Sequence, residues 1–252
     1  MELRLTAIWF LGRLALGTVA FTFCFVSKEI RRSFHRFNFI SAAILWLLVA
    51  WLGWGLSYQS SDLVVFGAVL CAGIATVYAG RAMKGENWNP NIIYTVGNIT
   101  VLILYTASPF TTAKLIITPR YFFLANVASG SFLLGATTVA MILGHWYLIM
   151  RNLSFEHLVK ASKLFLWAII SRTVWTAIEF AIVSAPIREQ WLGPDAMFVL
   201  MRVAWGLAMP LVLAFFVLRL AKTKNNQAAT GMLYVCEFCV LGGEAIAAYL
   251  RM

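Results

Sequence analysis

The sequence predicts an all-α, polytopic transmembrane helix bundle of about eight spans, with both termini outside. Three observations carry that expectation. The 252 residues are 62% hydrophobic and only 12% charged, about half the ~25% charge of an ordinary soluble domain. Mean hydropathy is +0.82. Apolar runs near the ~20 residues that cross a ~30 Å hydrocarbon core recur between short polar connections. This composition excludes a soluble globule, a disordered chain, a fibrous protein and a small disulfide scaffold. A transmembrane β-barrel would alternate polarity along short segments. Residues Ile44 to Trp54 are instead continuously apolar apart from Gly53.

The spans follow in order. The first, 6–27, is interrupted by Arg13 and followed by a basic loop with no small-residue cleavage site, so it reads as a helix and not as a cleaved leader. The second and third, 38–57 and 63–80, carry no charged residue. The fourth, 92–108, is short, contains Asn98 and Thr100, and stops before Pro109. The fifth, 122–150, is long enough to tilt or project. The sixth is 161–184. The seventh, 196–220, holds Pro210, which lacks an N–H and frees a carbonyl, predicting a kink. The eighth is 229–250. Connections are short, with no Ser/Pro-rich linker and no internal repeat, so residues 1–252 read as one transmembrane domain.

Net charge is +10. The basic residues lie between apolar runs and not on one folded face, so a positive-inside bias explains them better than nucleic acid. Loops after spans one, three, five and seven hold twelve Lys/Arg, from Lys28 to Lys224, against five (Arg4, Lys114, Arg120, Arg188 and Arg251) on the opposite side. The first set is therefore expected in the cytoplasm of a bacterial-type inner membrane.

Away from the basic loop ends, three arginines, Arg13, Arg172 and Arg202, and three glutamates, Glu179, Glu237 and Glu244, fall inside spans. A charge at the bilayer centre costs at least about 2.5–3.5 kcal/mol, so such groups face the bundle and find partners. Depth counted at 1.5 Å per residue pairs Arg172 with Glu237 and Arg202 with Glu244, and sets Glu179 near Arg13. These pairs either fix helix register or line a polar cavity. Arg172 and Glu179 share one face of span six with Trp175, Ala168 and Phe165, while Trp167 points elsewhere.

Span five ends in Gly144-His145-Trp146-Tyr147. Ser131, Gly135, Thr138, Met141 and His145 form one helical stripe leading to the histidine. Imidazole can hydrogen-bond a quinone carbonyl, carry protons or ligate haem iron. Bis-histidine haem b needs a second intramembrane histidine. His35 and His157 fall in expected loops, which puts quinone ahead of haem. In the last cytoplasmic loop, backbone amides and Thr230 are expected to cap span eight, where the helix N-terminus favours an anion or a carbonyl. A ligand site formed by His145, Asn226, Gln227 and Thr230, with Trp146 beside it, is the preferred reading. A Trp–His–Tyr group anchoring the helix at the interface is the alternative.

Cys236-Glu237-Phe238-Cys239 matches C-x-x-C, but it lies in an apolar helix without the four ligands zinc needs, so buried thiols are the default. No metal site is expected. No Walker loop, Rossmann fingerprint, nucleophile elbow or H-E-x-x-H is present, and no catalytic residue is assigned.

Gly144 to Leu148 (GHWYL) and Asn226 to Val235 (NQAATGMLYV) resemble segments of a group of uncharacterised bacterial polytopic membrane proteins. The resemblance covers the second half of the chain and implies a membrane bundle without a defined activity. Gly243-Glu244 is similar to a pair in the quinol-handling membrane subunits of molybdoenzyme-type reductases. The functional expectation is a membrane subunit of a respiratory or electron-transfer complex that contacts quinone beside other membrane or peripheral subunits. A small proton-coupled secondary transporter is the alternative, and a structural or assembly subunit without a ligand is the third.

Overall fold

The computed structural model describes residues 2–26, 29–30, 32–56, 61–84, 95–100, 103–104, 120–150, 153–182 and 185–250. Among them every regular element is helical: α1 (Glu2–Cys24), α2 (Arg32–Gly53), α3 (Ser61–Lys84), α4 (Arg120–Ile149), α5 (Phe155–Ile182), α6 (Ala185–Leu192), α7 (Ala196–Val203), a π segment (Ala204–Ala208), α8 (Met209–Lys222) and α9 (Asn226–Leu250). Seven helical stretches of the described residues are long and apolar enough to cross a membrane, α7, the π segment and α8 counting as one. The fourth expected span, 92–108, lies mostly outside the described residues, with 95–100 and 103–104 helical. The chain divides into two compact units, residues 1–131 and 132–252.

In the first unit α2 packs against α1 and α3. Their contact is built from Val19, Phe39, Ala42, Tyr78 and Ala79, with Phe23 and Ile74 packed against it. Phe23, Phe39 and Tyr78 meet ring to ring at centroid distances of 5.5–6.0 Å, within the range favoured by aromatic pairs. Glycines set close approaches: a Cβ on Gly53 would lie 3.0 Å from Val64, and one on Gly67 would lie 2.9 Å from Ile103. Gly55, at φ 72°, follows the end of α2 in the left-handed region that favours glycine after a helix. Arg13 is buried, donates from Nη2 to Asn126 Oδ1 at 2.6 Å, and lies 5.0 Å over the Trp9 ring.

In the second unit α8 and α9 are joined by a tight turn. Lys224 takes φ 60°, and Asn225 caps α9 by accepting from the Ala228 N–H at 3.2 Å. The loop expected at 222–231 is thus shorter. Asn226, Gln227 and Thr230 already belong to the helix, and Asn225, not Thr230, is its cap. The basic loop after α4 is shorter too. Helix α5 begins at Phe155, so His157, Lys160 and Lys163 ride on its first turns. His35 is likewise not in a loop but in the first turn of α2, where it is buried.

Pro210 does not kink its span in the simple way expected. The residues before it form the π segment, in which the Met209 N–H reaches the Ala204 carbonyl five residues back, and Pro210 falls in the first turn of α8.

Candidate functional site

The cluster of charge in the second unit is built by three helices. Arg172 comes from α5, Arg202 from the last turn of α7, and Glu244 from α9. Arg172 and Arg202 are fully buried and Glu244 is 1% exposed. Arg172 grips Glu244 with two donors, Nε to Oε1 at 2.9 Å and Nη2 to Oε2 at 3.2 Å. Arg202 Nη2 donates to the same Oε1 at 2.6 Å. Glu179, two turns beyond Arg172, completes the set at 3.9 Å from Arg172 Nη1. Two cations and two carboxylates therefore share one site, buried at Arg172, Arg202 and Glu244 and partly exposed at Glu179, which suits groups withdrawn from water.

Sequence depth placed Arg202 on Glu244, and the two do pair. The expected Arg172–Glu237 pair does not form. Helix α5 starts at Phe155 and not at 161, so Arg172 lies 17 residues into its helix. Glu244 lies 18 residues into α9. Both positions are about 26 Å from the helix start at 1.5 Å per residue, whereas Glu237, at 11 residues, is about 16 Å in. The Arg13–Glu179 pairing rested on the same depth count. Arg13 has Asn126 as a partner and Glu179 has Arg172, each within its own unit.

Backbone proximity makes the cluster possible. A Cβ on Gly206, in the π segment, would sit 2.6 Å from Gly243 Cα and 3.1 Å from Arg202 Nη1. Gly243 meets Gly206 just as closely, so the two elements touch main chain to main chain beside Glu244. Only glycine fits there. The aromatic stripe of α5 behaves as its period implies: Phe165 and Ala168 are buried with Arg172, and Trp167 is exposed.

Glu237 is used differently. It is 8% exposed, and Oε1 accepts from the Thr138 hydroxyl at 2.8 Å. Oε2 has no hydrogen-bond partner among the described residues. Cys236 and Cys239 flank it as buried free thiols, and the Cys239 thiol lies 3.8 Å from Met209 Sδ. No group of three or more potential metal ligands occurs among the described residues.

The histidine region forms where α4 crosses α9. Contacts descend along α9 as they rise along α4, so the helices run antiparallel: Thr138 with Glu237, Gly144 with Thr230 and Leu233, His145 with Tyr234, and Tyr147 with Asn226. His145 Nδ1 and the Tyr234 hydroxyl are 2.7 Å apart on an exposed face. Thr230 is fully buried. A Cβ on Gly144 would come within 2.9 Å of its hydroxyl oxygen, which has no partner among the described residues. Asn226 donates to the Tyr147 carbonyl at 3.3 Å, satisfying one of the four terminal carbonyls of α4. Trp146 is half-buried and Gln227 is exposed. The crossing thus brings His145, Thr230 and Asn226 onto one seam. Tyr234 belongs to the NQAATGMLYV segment but was not among the expected site residues, although it lies one turn after Thr230 on the same helical face.

These features define a multi-pass, all-helical membrane protein with an ionic cluster inside its second unit. Comparison of the chain with known protein families, curated proteins and solved structures gave no match.

Proposed function

We propose that the protein is an integral subunit of a respiratory or electron-transfer complex that contacts a quinone. In this reading it sits in a bacterial-type inner membrane with both termini outside, beside further membrane or peripheral subunits. The supporting observation is the 2.7 Å hydrogen bond between His145 and Tyr234 on an exposed face of the α4–α9 crossing. An imidazole and a phenol, each able to donate or accept, match the carbonyl and hydroxyl states of a quinone head group. Trp146 follows His145 in the chain and supplies a fluorophore within one residue of the pair. The test is a titration of the reconstituted protein with short-chain ubiquinone and menaquinone, read by tryptophan fluorescence. A saturable change is expected, and His145→Ala and Tyr234→Phe should each weaken it about three- to tenfold, the worth of one hydrogen bond. No saturable change, or one that both variants leave intact, would overturn the proposal.

A proton-coupled carrier is the second reading, favoured by Glu237. It is a buried carboxyl whose partner is a hydroxyl and not a cation, two turns along α9 from the Arg172–Glu244–Arg202 cluster. Intramembrane carboxyls of this kind serve proton relays. Proton flux in vesicles that Glu237→Gln abolishes would favour it over the quinone reading.

A further inference from the structure

A groove in the first unit is lined, among the described residues, by α3, and it does not depend on the quinone reading. It is an open concavity of about 570 Å³, within the ~300–1,000 Å³ typical of ligand sites. Its lining changes character along the helix. Phe66, Leu70, Gly73 and Val77 make an apolar channel, and Tyr78 and Arg81 close its far end. Phe66 and Val77 are among the most exposed apolar side chains of the helix. Gly73 forms a notch in the floor, since a Cβ there would meet nothing within 4 Å. The Arg81 guanidinium lies 6.0 Å over the Tyr78 ring, and exposed Lys84 follows three residues later, in the last turn.

We infer that this groove is a binding site for an anionic phospholipid, with an acyl chain along Phe66 to Val77 and the phosphate at Arg81 and Lys84. From Phe66 to Arg81 the helix rises about 22 Å, more than the ~15 Å depth of one leaflet's hydrocarbon. One chain and its head group therefore fit end to end. Arginine and lysine at a helix end reach into the head-group layer, where they attract anionic lipid. Charge also selects lipid over a second copy of this chain. A twofold pairing of α3 about the membrane normal would bring Arg81 and Lys84 against their own copies, and like charges oppose that contact.

The test uses the full chain in phosphatidylcholine vesicles doped with spin-labelled phosphatidylglycerol or spin-labelled phosphatidylcholine, with the immobilised lipid fraction read by electron paramagnetic resonance. Wild type should prefer phosphatidylglycerol by about fivefold or more. Arg81→Gln should remove most of that preference. Gly73→Leu fills the notch without changing charge, and it should reduce immobilised phosphatidylglycerol while the helical circular dichroism stays constant. Equal immobilisation of both lipids by wild type, or a preference that survives both variants, overturns the site. So does sedimentation of the chain as a dimer that Gly73→Leu dissociates, which would assign the groove to a second copy.

Discussion

Replacing Glu244 with glutamine removes one negative charge and almost no volume, and the consequences can be worked from the distances. Glu244 is the acceptor for both Arg172 and Arg202. After the change Arg172 keeps Glu179 at 3.9 Å. Among the described residues Arg202 has no other ion pair, and its Nε and Nη1 already lack hydrogen-bond partners. Stranding a buried charge costs about 3–5 kcal/mol, or roughly two to nearly four orders of magnitude in the folding equilibrium. Equilibrium unfolding of the purified protein in mixed detergent and dodecyl sulfate micelles measures this directly. The double variant Glu244→Gln with Arg202→Met removes the stranded cation as well. It should recover at least about 2 kcal/mol of the loss, because hydrophobic replacement of buried ion pairs is often neutral. A single variant within about 1 kcal/mol of wild type, or a double variant no better than the single one, would refute the idea that Glu244 holds the two arginines in place.

Gly243→Ala should destabilise by about 1–3 kcal/mol in the same assay, because its Cβ collides with Gly206. Gly242→Ala, whose Cβ meets nothing within 4 Å, should be neutral or slightly stabilising through helix propensity; equal losses would show that the close approach is unimportant. Thr138→Val strips Glu237 of its only hydrogen bond among the described residues and should cost about 1–3 kcal/mol. Thr173→Val, at a partly buried hydroxyl that bonds only its own helix, is the control and should cost less.

Hydropathy made the membrane-crossing helices legible, because a ~20-residue apolar run has few other stable uses. Their ends were less so. Helices α2 and α5 begin six residues before the expected spans, since Arg32, Arg36 and Lys160 tolerate helix as readily as loop. That offset moved Arg172 from the layer of Glu237 to the layer of Glu244. Which residues are costly in lipid was plain from residue type and position alone. Which ones meet depended on helix starts and on the Gly206–Gly243 approach, and a one-dimensional depth count carries neither. The helical stripe leading to His145 singled out that region in the sequence. Tyr234, the hydrogen-bond partner of His145, was not among the expected site residues because a tyrosine in an apolar helix near an interface reads first as an anchor.

The π segment at Ala204–Ala208 counts one residue more than an α-helical ladder would need over the same rise. Each residue advances an α-helix by about 100°. Were this surplus lost, everything before it would rotate by that angle relative to α8, and Arg202 would swing away from the carboxylate it serves. The span is thus divided into two halves with separate azimuths. Its first half aims a guanidinium inward at Glu244, while its second half presents Val212, Phe215 and Phe216 outward. Spacing across this stretch, and not only the identity of Arg202, decides whether that cation has a home.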